Sequence, residues 1–146
     1  MVKIAYVDSS VLVKHYVENE AGSSFASKYI TTYKVYASSI VQVEVFSALS
    51  RKLQMREISK ENVEKIKEMF LSDCMRTGMI EVSDDVINEA QALVFKSSIK
   101  TLDAIHLASA MILRNITEIT FPFITADKKL ALAAKGERFE VIEVGI

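Results

Sequence analysis

The sequence predicts a doubly wound α/β domain, in which a central, mostly parallel sheet is flanked by helices. Short apolar runs alternate along the chain with longer segments whose apolar residues recur at the helical period. The first of these runs, 4–7, is continuous, which is typical of a strand that is covered on both faces. The 146 residues include one proline and four glycines and no linker or repeat, so we expect a single domain over 1–146.

The first half of the chain is predicted to form two strands and four helices. The predicted strands are 4–7 and 35–37. The predicted helices are 10–17, 23–33, 39–55 and 59–75. Ser39 and Gln42 have the spacing of a capping box, and Ser59 is a suitable N-cap because its hydroxyl can accept from the first free amides of a helix.

The second half is predicted to form three strands and three helices. The predicted strands are 79–82, 121–125 and 140–144. The predicted helices are 83–96, 102–114 and 127–135. Ser83 and Thr101 are the expected N-caps, and Gly136 suits the exit of the last helix. Pro122 must lie near the beginning of its strand, because proline cannot donate to a ladder.

Composition and charge limit the compartment and the partners that we expect. The single cysteine, Cys74, excludes an intrachain disulfide and is interpreted as an apolar filler. We see neither a signal-peptide pattern nor an apolar run long enough to span a membrane, so we expect a cytoplasmic protein. The net charge is −1, whereas general nucleic-acid binders are basic. Contacts with nucleic acid must therefore come from local basic patches or from metal ions among acids.

Two aspartates follow predicted strands at the point where each strand ends. Asp8 comes directly after the first strand, and Asp127 follows the strand at 121–125. In open α/β sheets the ligand crevice lies outside the carboxyl ends of the strands, so the two carboxylates share one crevice if their strands are neighbours. The alternative is that each aspartate is only the N-cap of the following helix.

Two further acids lie in apolar helical surroundings. Glu44 is flanked by Val43 and Val45, so we expect its helix to be largely buried there. A buried carboxylate costs several kcal/mol if it is unpaired, so Glu44 needs a basic partner, a hydrogen-bond network or a metal. Asp103 lies in a strongly apolar helix start, where the alternative is an acid that is favoured by the helix dipole.

A cluster of carboxylates repels itself unless a cation or a proton relieves the conflict. Oxygen ligands, with no group of cysteines and histidines available, favour magnesium or manganese over zinc. Such an ion suits phosphodiester chemistry, because it can lower the pKa of a water and stabilise the leaving oxygen.

Four short segments span nearly the whole chain: Tyr6-Val7-Asp8-Ser9-Ser10, Val43-Glu44-Val45, Leu102-Asp103-Ala104-Ile105-His106-Leu107-Ala108, and Thr125-Ala126-Asp127 followed by Leu130 and Ala133-Ala134. In their order and spacing they resemble the PIN-domain nucleases, and within them the VapC-type toxins of toxin–antitoxin pairs.

The resemblance implies a PIN-like fold and a metal-dependent endoribonuclease that hydrolyses RNA with a metal-activated water. The implied cofactor is Mg²⁺ or Mn²⁺, held by Asp8, Glu44, Asp103 and Asp127 as the catalytic acids. Ser9 and Thr125 match positions that help to orient the acids or their waters. The implied partners are a protein antitoxin that blocks the acidic pocket and a second copy of the chain in a homodimer. Many relatives carry an arginine shortly before the third acid, where this chain has Lys100.

Several other residues are candidates for a role in the site. His106 lies one helical turn after Asp103 and is either a residue that tunes the site or a buried structural histidine. Tyr6 could stack on a base, although its place in a buried strand favours core packing. Four basic residues could contact the RNA backbone, with ordinary surface charge as the alternative: Lys14, Arg51, Lys100 and Lys128.

Three other functions compete with the toxin ribonuclease. A PIN-like RNA-processing nuclease without an antitoxin would differ by lacking a small antitoxin reading frame beside its gene. A receiver-type signalling domain would need an acidic pair at the end of the first strand, whereas Asp8 is flanked by Val7 and Ser9. A binding module without catalysis is disfavoured because all four carboxylates are present.

Overall fold

The computed structural model describes residues 2–145, which form five strands and seven helices. The strands are β1 (Ile4–Val7), β2 (Lys34–Ser38), β3 (Gly78–Ile80), β4 (Pro122–Thr125) and β5 (Glu140–Glu143). The helices are α1 (Ser9–Tyr16), α2 (Ser23–Thr32), α3 (Val41–Gln54), α4 (Lys60–Cys74), α5 (Asp84–Ser97), α6 (Thr101–Thr117) and α7 (Lys128–Gly136). Every predicted element is present, with ends that differ by a few residues.

The five strands form one parallel sheet in the order β3-β2-β1-β4-β5. The chain builds outward from β1 to β3 on one side and then returns to place β4 on the other side of β1. In register, Ala5 of β1 pairs with Val35 of β2, and Val7 pairs with Ile124 of β4. The strand order therefore reverses between β1 and β4, which is where doubly wound folds open a crevice at the carboxyl ends of the strands. The predicted fold class is confirmed.

Helices cover both faces of the sheet. Successive residues of β1 point in opposite directions, so the strand contributes side chains to the core on each face. Ala5 and Val7 pack in a core with residues of α1 to α4. Tyr6 points the other way, into a core formed with α5, α6 and α7. All three side chains are fully buried, which explains why the first apolar run has no polar alternation.

Of the helix caps predicted at Ser39, Ser59 and Ser83, the last two are confirmed and the first is wrong. The hydroxyls of Ser59 and Ser83 accept from the backbone amides of Asn62 and Val86 at 3.2 and 3.3 Å. Ser39 is not a cap, because a turn at 39–40 precedes α3 and the Gln42 amide instead donates to the Ser39 carbonyl. Local spacing suggested a capping box, but the Ser39 amide donates to the carbonyl of Ile80, the last residue of β3.

Two other helix ends also differ from the prediction. Thr101 is the first residue of α6, since Lys100 has an extended backbone and its carbonyl already accepts from Ala104. Gly136 is the last residue of α7, and the left-handed backbone conformation falls two residues later, on Arg138 with φ 69°. The turn that leads into β5 therefore does not use the conformational freedom of the glycine.

The edge strand β3 begins at a glycine because of its neighbour. Gly78 pairs with Tyr36 of β2, and a Cβ on Gly78 would overlap the Tyr36 ring. The backbone of β3 can approach that ring only where no side chain intervenes.

In residues 2–145, no helix combines the length and the apolar character that a membrane crossing requires.

Candidate active site

Asp8 is a buried carboxylate that is held on three sides. It follows β1 directly and forms the N-cap of α1. Oδ1 accepts from the Ser10 hydroxyl at 2.6 Å and more weakly from the Val11 amide at 3.4 Å, and Oδ2 accepts from the Thr125 hydroxyl at 2.7 Å. Only 4% of the residue is exposed. The orientation of the carboxylate is therefore fixed before any ligand binds.

Asp127 lies beside Asp8 because their strands, β4 and β1, are neighbours. The Asp127 amide donates to Thr125 Oγ1 at 3.0 Å, and the same hydroxyl donates to Asp8. The Asp127 carboxylate accepts from the Leu130 amide at 3.0 Å and caps α7. Each strand-end aspartate is thus both an N-cap and a member of a shared crevice, so the two interpretations do not exclude each other.

The serine that contacts Asp8 is Ser10, whereas the family resemblance in the sequence pointed to Ser9. The Ser10 hydroxyl donates to Asp8 and accepts from the Ala126 amide at 3.0 Å, so it links β1 to the end of β4 in the same way as Thr125. Ser9 lines the adjacent cleft instead. The signal was available in the sequence, since a hydroxyl two residues after an N-cap aspartate lies within reach of its carboxylate.

Glu44 lies on the margin of α3 and pairs with a histidine. The prediction of a largely buried helix at this point is wrong, because Val41 and Val45 are buried but Val43 is 72% exposed. The Glu44 Oε1 atom lies 2.7 Å from Nε2 of His106 on α6. The partner that the sequence required for Glu44 is therefore His106.

His106 is buried and hydrogen-bonded through both ring nitrogens. Its Nδ1 lies 2.9 Å from the Tyr6 hydroxyl, whose oxygen also accepts from the Ser38 amide at 3.2 Å. Only 2% of His106 is exposed. Tyr6 packs in the core, as expected, and its ring stacks on Phe123. His106 is thus a buried, hydrogen-bonded histidine that also contacts a candidate catalytic acid.

Asp103 lies in the first turn of α6, where the charges of the other acids reach it. Burial raises its pKa, and the negative charges of Asp127, Asp8 and Glu44 raise it further, while His106 opposes them. Burial also raises the pKa of Asp8, although the nearby His106 and the hydroxyls that donate to Asp8 act to lower this pKa. Asp103 therefore lies close enough to Asp127, Asp8 and Glu44 to be repelled by their charges, and we call these four carboxylates the acidic cluster.

A cleft of about 960 Å³ opens beside the acidic cluster. Glu44 and Asp127 line it on the acidic side, and the basic residues in its lining are Lys14, Arg51 and Lys52. The Lys52 ammonium is paired with Glu20 at 3.2 Å, and the Lys14 ammonium donates to the Ala21 carbonyl. Lys100 and Lys128 precede or begin α6 and α7, next to Asp103 and Asp127, and are not in the described lining of this cleft.

The acidic cluster has the donor chemistry of a magnesium or manganese site, since all its ligands are carboxylate oxygens. In residues 2–145, no three His, Cys, Asp or Glu side chains stand close enough together to hold a metal ion as they are placed. Burial raises the pKa of Asp103 most, and the neighbouring negative charges raise it further; a divalent cation relieves this repulsion. The residues present therefore fit such an ion in their chemistry.

Asp8 and Asp103 should destabilise the metal-free protein less as the pH falls from neutral into the acidic range. Because the pKa values of Asp8 and Asp103 are raised in the folded state, folding favours proton uptake between their ordinary and raised values. Above the raised values both groups are charged and their destabilising effect is complete. We expect Asp103→Asn to raise the melting temperature of chelated protein most at neutral pH, with the difference from wild type shrinking on acidification.

Thermal melts of both proteins in chelator over a pH series measure this difference. Asp85→Asn, at an exposed aspartate in the first turn of α5, is the control and should leave the profile unchanged. A difference between Asp103→Asn and wild type that stays constant or grows on acidification would contradict the assignment.

Solved structures with the same fold include proteins of toxin–antitoxin systems. A toxin–antitoxin complex from Klebsiella pneumoniae superposes with a TM-score of 0.66 at 18% identity, covering 96% of this chain and 97% of that one. VapBC2 from Rickettsia felis, bound to a DNA fragment from its promoter, gives 0.62 at 16% identity, covering 96% and 98%. VapC20 of Mycobacterium tuberculosis, a toxin that cleaves the sarcin-ricin loop, gives 0.64 at 16% identity, covering 90% and 95%.

A comparison with curated proteins gives no match. The profile of the PIN domain matches residues 5–136, which include Asp8, Glu44, Asp103 and Asp127. This match covers nine-tenths of the chain and confirms the resemblance found in the sequence. The chain belongs to the PIN-domain family.

Proposed function

We propose that the protein is a metal-dependent endoribonuclease and the toxin of a type II toxin–antitoxin pair. The observation that carries the proposal is the convergence of acids at the crevice between β1 and β4. Asp8 and Asp127 are joined through the Thr125 hydroxyl, and the charges of Asp127, Asp8 and Glu44 raise the pKa of Asp103. A self-repelling set of this kind in a cleft is typical of a functional site.

In this proposal, Asp8, Glu44, Asp103 and Asp127 hold one or more Mg²⁺ or Mn²⁺ ions. A bound ion supplies a water of lowered pKa and neutralises charge on the leaving oxygen. Ser10 and Thr125 keep the Asp8 carboxylate in one orientation, so little reorganisation is needed when substrate binds. Attack by water, in place of the ribose 2′-hydroxyl, leaves 5′-phosphate and 3′-hydroxyl ends.

The substrate in this proposal lies along the cleft with its backbone toward the basic wall. Lys14 and Arg51 line the same cleft as Glu44 and Asp127, and the Arg51 guanidinium uses one donor on the Ser47 hydroxyl. Its remaining donors suit phosphate oxygens. Lys100 precedes α6 and Lys128 begins α7, so each is close in sequence to one of the acids and would contact a phosphate near the cut. These local charges would compensate for the net charge of −1.

The proposed protein partners are an antitoxin and a second copy of this chain. Of the solved structures with the same fold, the one from Klebsiella pneumoniae is a toxin–antitoxin complex, and the one from Rickettsia felis is VapBC2 bound to DNA. Val43, Met55 and Leu102 are exposed apolar residues that line the cleft beside the acids, and they suit an apolar antitoxin segment that blocks it. Phe95 of α5 and Leu132 of α7 expose 90% and 73% of their surface, which suits a dimer contact.

The proposed function is tested by incubating the purified protein with total RNA and Mn²⁺ and mapping the ends of the fragments. We expect cuts at discrete sites with 5′-phosphate and 3′-hydroxyl ends. The same RNA incubated with protein in the absence of divalent metal is the control. Fragments that end in 2′,3′-cyclic phosphate would contradict attack by water, and an absence of cutting would contradict the proposed activity.

A further inference from the structure

A chain of hydrogen bonds runs from the sheet to the rim of the cleft and is not used by the chemistry described above. The Ser38 amide donates to the Tyr6 hydroxyl, the hydroxyl contacts His106 Nδ1, and His106 Nε2 contacts Glu44 Oε1. The three distances are 3.2, 2.9 and 2.7 Å. The last contact is the shortest and is made to a member of the acidic cluster.

The position of each proton along this chain is limited by what each group can donate. A backbone amide only donates, so the Tyr6 oxygen accepts from Ser38, and the phenol proton goes to Nδ1 of His106 or to the Ser109 hydroxyl. Burial, together with the charge of Asp8, raises the pKa of Tyr6, so the phenol keeps its proton. If the phenol donates to Nδ1, the imidazole carries its own proton on Nε2 and donates it to Glu44. This assignment leaves no group in the chain without a partner, and within residues 2–145 every buried side-chain polar atom has one.

The chain is anchored in rigid parts of the fold. Tyr6 is fully buried, and its ring stacks on Phe123 with centroids 5.1 Å apart. His106 belongs to α6, which packs on one face of the sheet, whereas Glu44 belongs to α3 on the other face. The contact between His106 and Glu44 therefore joins the two helix layers across the carboxyl edge of the sheet.

We propose that Tyr6 and His106 are positioning residues, which fix Oε1 of Glu44 so that the second oxygen, Oε2, is presented to a cation in the acidic cluster. A glutamate side chain has several rotatable bonds, and holding one oxygen in advance reduces the entropy lost when the other oxygen binds an ion. Tyr6 acts at one remove, by keeping the proton of His106 on the nitrogen that faces Glu44. This inference rests on the proposed function, because it assigns a role within the same site.

A matched pair of substitutions separates the contact made by Nε2 of His106 from the contact made by its Nδ1. In His106→Gln the side-chain amide can replace Nε2 and still donate to Glu44, whereas in His106→Asn the amide can replace only Nδ1 and contact Tyr6. We expect His106→Asn to weaken Mn²⁺ binding by about 10- to 100-fold in titration calorimetry, and His106→Gln to recover most of that loss. Tyr6→Phe should weaken binding less than His106→Asn.

His15→Gln is the control, since the other histidine of the chain contacts Ser27 outside the cluster. A purely structural role for His106 would lower the melting temperature of both variants and leave their Mn²⁺ affinities equal to that of wild type, which would overturn the inference. If both His106 variants fail to fold, Tyr6→Phe decides, and unchanged Mn²⁺ affinity in that variant would overturn the role of Tyr6 and His106.

Nitrogen NMR of protein labelled at its two histidines tests the same assignment without metal or activity. We expect His106 in wild type to show an unprotonated Nδ1 and a protonated Nε2, and Tyr6→Phe to shift the Nδ1 resonance. A proton on Nδ1 in wild type would overturn the inference. If wild type binds no Mn²⁺ and cuts no RNA, the proposed function fails; if it binds Mn²⁺ but the Gln and Asn variants bind it equally, only the positioning role fails.

Discussion

Replacing Asp8 with asparagine should abolish RNA cleavage, with a loss of at least about 100-fold, since even residues behind a metal ligand contribute 10- to 100-fold. The fold should survive, because asparagine has the same shape and its oxygen can still accept from Ser10 and Val11. In metal-free buffer the melting temperature should stay equal or rise, because burial disfavours the charged form of Asp8. Cleavage of RNA under Mn²⁺ and thermal melts in chelator measure the two effects.

Asp85→Asn is the matched control for this substitution, because it removes an exposed aspartate from the first turn of a different helix. It should cut RNA at the wild-type rate. If Asp8→Asn is unfolded at room temperature, then Asp8 is a structural residue, and the assignment of a catalytic carboxylate at the end of β1 is wrong.

Removal of divalent metal should stop cleavage completely, and added Mn²⁺ should restore it. The same ion should stabilise the fold, because it binds the folded cluster and relieves the repulsion that raises the pKa of Asp103. At a free concentration 100 times the dissociation constant, linkage predicts about 2.7 kcal/mol of stabilisation, or roughly 5–10 °C in melting temperature for a chain of this size.

Melting curves with EDTA, and then with excess Mn²⁺, measure this stabilisation beside the cleavage assay. Asp103→Asn should show a smaller upward shift than wild type, since one ligand and one repelling charge are gone. Cleavage that continues in chelator would point to a metal-free mechanism and would remove the reason for a cluster of four acids.

The sequence predicted that Asp8 and Asp127 share a crevice if their strands are neighbours, but it did not predict the strand order. In the structure β4 lies beside β1, and the two aspartates are linked through Thr125. For Glu44 the sequence predicted only the kind of partner, which was a basic residue, a hydrogen-bond network or a metal, and not the residue itself. His106 is 62 residues away on the opposite face of the sheet, and such a contact depends on how the helices pack.

Local signals failed where a longer-range contact competed with them. Ser39 has the residue type of an N-cap, but its amide is used by the Ile80 carbonyl and its turn precedes the helix. Val43 suggested a buried helix because it is apolar, yet one face of α3 is enough to fill the core, and Val43 points away from it. Periodicity finds a helix, but it does not determine how much of its circumference the neighbours cover.

The late position of β4 in the chain has a consequence for the moment at which the enzyme becomes active. Asp8 emerges from the ribosome first, but Thr125 and Asp127 come from the last quarter of the chain and must insert beside β1. A nascent polypeptide that stops before β4 lacks both Thr125 and Asp127. The proposed nuclease is therefore harmless to the message and the ribosome that produce it until β4 has been synthesised and paired with β1, which leaves time for an inhibitor to be present.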